Sequence, residues 1–192
     1  MPKGRLEAFS DGVIAILITI MVLELHAPDE VTWPALRPIV PVFLAYVLSF
    51  VFLGIYWANH HHMLQLAERV NGGILWANLH LLFWLSLIPF ATAWMGEHHQ
   101  ASVPAALYGI VLLFAGVAYT ILQRALIREQ GEHSRLATAV GRDVKGLASV
   151  VLCAIAIPSA FYRPGLSQLL YIAVALMWLV PDPRIEKVIR QG

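Results

Sequence analysis

The chain has 192 residues, of which 59% are hydrophobic and 13% charged, with a formal net charge of +1. A soluble domain runs about 45–50% apolar and about 25% charged, so this balance excludes an ordinary soluble enzyme or a basic nucleic-acid binder. It reads as an all-α integral membrane protein. The single cysteine, Cys153, lies in the apolar run Val-Val-Leu-Cys-Ala-Ile-Ala-Ile, which allows no disulfide framework and suits a buried inert thiol.

Six hydrophobic segments follow one another as one unit over residues 1–192. The first, about 6–25, opens with Arg5 and the triplet Phe9-Ser10-Asp11, then runs apolar from Gly12 to Leu23 with Thr19 as its one polar residue. As a helix, Phe9 to Leu25 spans ~25 Å, close to a bilayer's hydrocarbon core. Lys3 and Arg5 resemble a signal peptide's basic start, but Asp11, Glu24 and the later spans mark a retained first span. The second segment, about 36–58, is preceded or opened by Pro34, Pro38 and Pro41, where a helix tolerates proline best. The third, about 73–95, carries Pro89 as a kink. The fourth runs over about 102–127, the fifth over 145–162 and the sixth over 166–180. The sixth is short for a full span, and Pro181-Asp182-Pro183 ends it.

Loop charges set the orientation. With the N-terminus in the cytoplasm, Lys3, Arg5, Arg69, Arg124, Arg128, Arg135, Arg142, Lys145, Arg184, Lys187 and Arg190 lie inside, and only Arg37 and Arg163 outside. Six spans with both termini cytoplasmic are expected. The external loops, about 26–35, 96–101 and 163–165, are too short for a binding domain and hold no re-entrant pore loop or Thr-Val-Gly-Tyr-Gly filter. An ion-conducting protein of this kind must select with a transmembrane helix. No nucleotide-binding or nucleic-acid motif is present.

The histidines invite a metal-enzyme reading, above all His60-His61-His62 and His98-His99. The expected topology puts triplet and pair on opposite faces of a ~30 Å core, and neighbouring histidines point about 100° apart on a helix. No metal site is expected. His98, His99 and His133 are candidates for pH sensitivity with nothing to separate them from surface histidines. More telling is the shared depth of Arg5, Ser10 and Asp11 on span one, Trp57, His60 and His61 on span two, and Asn78 and His80 on span three. A buried charge needs partners, so one polar knot is expected, with Asp11 accepting from Arg5, Ser10, a histidine or Asn78. It reads as a clamp on three helices in preference to a proton relay.

Ile16, Thr19 and Leu23 share one face of the first helix, with Gly12 a turn below. Within one subunit such a stripe reads as packing, with the Thr19 hydroxyl bonded back to the Ala15 carbonyl. The sharper alternative is several copies of this helix around an axis, since one such stripe cannot enclose a pore.

The run Arg5-x-x-x-Phe9-Ser10-Asp11, followed by an apolar helix with a mid-span threonine, resembles the signature of the transmembrane protein 175 family of potassium channels. Tyr56-Trp57-x-x-His60-His61, Leu75-Trp76-x-Asn78-Leu79 and Ile88-Pro89-Phe90-x-Thr92 extend the resemblance over roughly 5–95. It implies a single-repeat, prokaryotic-type subunit without a pore loop, assembled as a homotetramer in the plasma membrane. It also implies a pore lined by the first helix, with Ile16 as the narrowest ring, Thr19 as the potassium-preferring layer and Leu23 as a second hydrophobic ring. Arg5, Phe9, Ser10 and Asp11 would then hold the inner helix ends, together with Trp57, His60, His61 and Asn78. No enzyme activity and no cofactor beyond the permeant potassium ion are expected. A secondary transporter is the alternative, and saturable, gradient-coupled flux would mark it.

Overall fold

The computed structural model describes residues 3–131, 134–141 and 143–179. Within them the secondary structure is helical. Helix α1 is Lys3–Ile20, tightening into a 3-10 turn over Met21–Glu24; a second 3-10 segment, Trp33–Ile39, leads into α2, Val40–Gln65. Then come α3 (Gly72–Ser86), α4 (Ile88–Glu97), α5 (Ser102–Gln130), α6 (Arg135–Val140), α7 (Val144–Tyr162) and α8 (Pro164–Leu179). Five stretches are long and apolar enough to cross a membrane: Lys3–Glu24, Trp33–Gln65, Gly72–Glu97, Ser102–Gln130 and Val144–Tyr162. Pro164–Leu179 is a shorter apolar helix; its 16 residues rise ~24 Å.

Local chemistry sets the helix ends. Asn71 caps α3 by accepting the Ile74 N–H at 2.9 Å, Ser134 caps α6 through Ala137 at 3.2 Å, and Asp143 caps α7 through Gly146 at 2.8 Å. Pro34 and Pro41 occupy opening positions of their helices, where the missing N–H would have had no partner. Gly131 ends α5 and Gly141 ends α6, both at positive φ.

The helices depart from the expected spans in two places, the end of the second and a short added helix, and the kink expected at Pro89 is present. The second helix continues to Gln65 instead of stopping near 58, so His60-His61-His62 is helical. The third divides at Leu87, two residues before Pro89, whose ring cannot continue the N–H ladder and instead sits in the opening turn of α4. The fifth matches its expected bounds, and α7 runs unbroken through Pro158. The short helix α6 was not anticipated. Arg142, His133, Val180, the Pro181-Asp182-Pro183 terminator, Arg184, Lys187 and Arg190 lie outside the described residues.

Helix α5 is the spine, packing along α7, α3 and α4, while α7 packs on α8 and α2 on α4. Its buried face is rich in small residues (Ala105, Ala106, Gly109, Ala115, Ala118) that let neighbouring helices close in. Gly109 seats the Tyr171 hydroxyl, which donates to the Ala105 carbonyl at 3.0 Å; a methyl there would strike it. Gly96 brings α4 against the α2 backbone, 2.8 Å from where its Cβ would stand to Val42 Cα. Trp84 of α3 stacks on Phe114 of α5 at 4.6 Å between centroids. At the end where α1 begins, Lys3 donates to the carbonyls of Leu64, Gln65 and Ala67, satisfying the end of α2. Asn71 and Glu68 of the next loop bond Glu129 and Gln130 at the end of α5. Lys3, Arg69 and Arg128 thus gather at one end of the bundle.

Candidate functional site

Helix α1 has two unlike faces. Leu6, Ser10, Ile14, Leu17 and Met21 recur at three- and four-residue spacing and are buried, packed on α2, α3 and α4. The opposite face carries Phe9, Gly12, Ile16, Thr19 and Leu23, all exposed. Ile16 is 57% exposed and Leu23 71%, values far from those of a packed core, and a Cβ at Gly12 would meet open space. The expected stripe is therefore present on one face, and nothing among the described residues covers it.

Thr19 donates its hydroxyl proton to the backbone carbonyls of Ala15 at 3.1 Å and Ile16 at 2.9 Å. The back-bond expected for a mid-helix threonine is thus formed, shared with a second carbonyl. A hydroxyl has one proton and two lone pairs. With the proton committed to the helix, what the exposed oxygen offers outward is acceptor capacity alone.

The buried face is held by a chain of hydrogen bonds through three helices. Ser10 donates to the Leu6 carbonyl at 2.9 Å and accepts from Asn78 Nδ2 at 2.9 Å; Asn78 Oδ1 lies 2.7 Å from His60 Nε2. Because the Asn78 amide nitrogen faces Ser10, its oxygen faces His60, and His60 must donate from Nε2. All three side chains are buried. His60 Nδ1 is left as a buried atom with no partner among the described residues.

Asp11 does not join this chain. None of the acceptor pairings expected for it forms; instead its Oδ1 accepts from Trp57 Nε1 at 3.0 Å. The reason is the helical period: Ser10 points into the bundle and Asp11, about 100° away, to its rim. His61 stacks on Trp57 with centroids 6.2 Å apart. Arg5 is exposed and has no hydrogen-bond or ionic partner among the described residues. His80 is also outside the knot, accepting from Trp84 on its own helix at 3.0 Å. The anticipated single knot is therefore two anchors: Ser10–Asn78–His60 inside and Asp11–Trp57 at the edge.

A third polar cluster escaped the sequence reading. Thr92 of α4 donates to Ser49 of α2 at 2.7 Å, and Ser49 bonds the Tyr108 hydroxyl of α5 at 2.8 Å. All three are buried, and Met21 at the end of α1 packs against Thr92. The signal was present: a serine within the second span and a threonine within the third each require a partner away from water. Among the described residues, no three His, Cys, Asp or Glu side chains come together as metal ligands.

A bundle of long apolar helices, pinned internally by buried hydrogen bonds and carrying exposed apolar side chains on α1 as on α2, α3, α7 and α8, defines an integral membrane protein. The profile of the family described as "Endosomal/lysosomal potassium channel TMEM175" matches residues 5–89. A potassium channel of Chryseobacterium sp. is 53% identical over 192 residues, covering 100% of both chains. One of Streptomyces collinus is 36% identical over 134 residues, 66% of this chain and 65% of that one. The crystal structure of a lysosomal potassium-selective channel TMEM175 homolog from Chamaesiphon minutus superposes with a TM-score of 0.78 at 27% identity, covering 93% of this chain and 96% of that one. The chain belongs to the TMEM175 family of potassium channels.

Proposed function

We propose that this chain is one six-span subunit of a homotetrameric potassium channel, a single domain over residues 1–192, whose pore is lined by the open face of α1 from each copy. The observation that carries the reading is that uncovered face: four symmetric copies bury it around an axis, whereas in one copy it has no counterpart. Ile16 and Leu23 then form hydrophobic rings with Thr19 between them. The assignment of kin named potassium channels supports the ion, and a non-enzymatic role with no cofactor beyond the permeant ion follows from it.

A narrow apolar ring favours dry over wet states, so radius and wetting govern passage. Potassium is less strongly hydrated than sodium and sheds water past Ile16 at lower cost. The outward lone pairs of Thr19 replace part of that water. Selectivity from one layer of hydroxyls is expected to be modest. The excess of lysine and arginine on one side supports cytoplasmic termini in a prokaryotic plasma membrane. Arg5, Phe9, Ser10 and Asp11 serve as anchorage, away from the ion.

Potassium and sodium flux through purified protein in liposomes tests this, with Thr19→Val alongside. Valine keeps the shape and removes the oxygen, and Thr19 is exposed with its hydroxyl bonded only within its own helix, so folding is expected to be unchanged. The variant should lose the potassium preference, by roughly a fewfold in permeability ratio for a contribution of about 1 kcal/mol. An unaltered reversal potential would remove Thr19 from the filter.

A further inference from the structure

We infer that the bundle holds a second site, a cavity between α2, α5, α7 and α8 that takes a neutral short-chain alcohol. The cavity has a volume of about 60 Å³, and α1 contributes no residue to it. Its lining changes character in step on all of its helices. Phe52 gives way to Tyr56 and Asn59 along α2, and Leu112 to Tyr119 and Thr120 along α5. Cys153 gives way to Ser149 and Asp143 toward the start of α7, and Val174 to Trp178 along α8. Trp178 bonds Ser149, and the Asp143 charge acts on Tyr119, so these polar ends lie together. One end of the cavity is apolar and the other polar, which suits an amphiphile. Gly116 makes the room. At Gly109 and Gly96 an added Cβ would collide, but at Gly116 it would meet Tyr56 Oη at 3.8 Å and Val150 Cγ2 at 3.9 Å, ordinary contacts. Close packing therefore does not demand this glycine, a poor helix former, and its missing side chain is part of the cavity.

The hydrogen bonds at the polar end specify the head group. Tyr119 donates to the Asn59 carbonyl at 3.3 Å, Thr120 to the Gly116 carbonyl at 3.0 Å and Ser149 to the Lys145 carbonyl at 2.8 Å. Trp178 Nε1 spends its proton on Ser149 Oγ at 2.8 Å. Of the lining hydroxyls, that of Tyr56 has no hydrogen-bond partner among the described residues, and a hydroxyl in an apolar span needs one. Asn59 donates its Nδ2 to the Ile55 carbonyl at 2.8 Å, which leaves Oδ1 as an open acceptor. A ligand hydroxyl answers both needs, accepting from Tyr56 and donating to Asn59. Charge favours a neutral head. Asp143 lines the polar end, and Lys145 Nζ lies 5.9 Å from the centre of the Trp178 ring at that same end. The two offset each other, so an ionised ligand gains no net partner for its desolvation. Size sets the tail. A water needs about 10–15 Å³ of such space, so the cavity takes about four water-sized groups, those of a three-carbon alcohol. Water alone would meet no hydrogen-bonding group at the Phe52 end.

Fluorine NMR of trifluoropropanol with the purified full-length protein in detergent tests this without any need for conduction. The wild type is expected to give a saturable bound signal that propanol displaces and propylammonium does not. Gly116→Leu, which fills the cavity, should abolish that signal, and Tyr56→Phe, which keeps the ring, should weaken binding several-fold. A melting temperature for each variant shows that it is folded. If Gly116→Leu does not assemble, Tyr56→Phe decides, and unchanged affinity in it would overturn the inference. The same bound signal in folded Gly116→Leu would also overturn it, as uptake by the micelle. So would displacement by propylammonium as strong as by propanol, or a wild type with no saturable signal, which would make this a site for water alone.

Discussion

Ile16→Asn is expected to raise potassium leak through reconstituted channels by about tenfold or more. Asparagine is close to isoleucine in reach but offers an amide to water, and four such groups in one ring convert a dewetting neck into a wettable one. A barrier lowered by only about 1.4 kcal/mol already gives a tenfold change in rate. The expectation is clean because Ile16 is 57% exposed in its own subunit, so the substitution leaves the subunit's packing alone. Sodium leak should rise with potassium leak, since a wet, wider neck spares both ions the loss of water. Flux at the wild-type level, from protein of normal oligomeric size, would place the constriction elsewhere.

Asn78→Leu is expected to act on the opposite face and in the opposite way. Leucine is close enough to asparagine in shape to fill the space, but it removes both the acceptor for His60 Nε2 and the donor to Ser10. Leaving a buried donor unpaired costs about 1–3 kcal/mol, and water is not at hand to replace the lost partner. Ser10 retains its bond to the Leu6 carbonyl, so the damage centres on α2 and α3 and the seat they form for α1. The measurements are yield of assembled protein and its melting temperature, both of which should fall sharply. The potassium-to-sodium ratio of what survives should stay near that of the parent. Normal assembly with a changed ratio would mean that Asn78 acts on the ion path.

Much of this was legible because membrane helices write their rules plainly. The stripe Gly12, Ile16, Thr19, Leu23 could be placed on one face from the helical period alone. Its exposure could not, because whether a face meets its own subunit, lipid or a second copy is a tertiary fact. Ser10, Asn78 and His60 could be grouped by depth, yet Asp11 was assigned to them when its position a third of a turn away sends it to Trp57 at the rim. Depth orders residues along the membrane normal, and only the angular position of each around its helix decides which of them meet. The Ser49–Thr92–Tyr108 cluster was missed for a related reason. It joins three helices through residues that carry no charge, so hydropathy passes over them. Pro89 and Pro158 show a further limit: one coincides with a break and the other sits inside a continuous helix, since neighbouring helices decide whether a freed carbonyl is tolerated.

The central claim is that α1 faces the ion path, and cysteine accessibility tests it most directly. Cys153 is the chain's only cysteine, so a Cys153→Ala background is free of thiols. Leu23→Cys on the open face and Ile14→Cys on the buried face are then each exposed to a cationic, membrane-impermeant methanethiosulfonate during potassium flux. The expected result is that Leu23→Cys is modified and flux falls several-fold, while Ile14→Cys neither reacts nor changes. Flux that continues undiminished through fully modified Leu23→Cys channels would contradict a pore lined by the first helix.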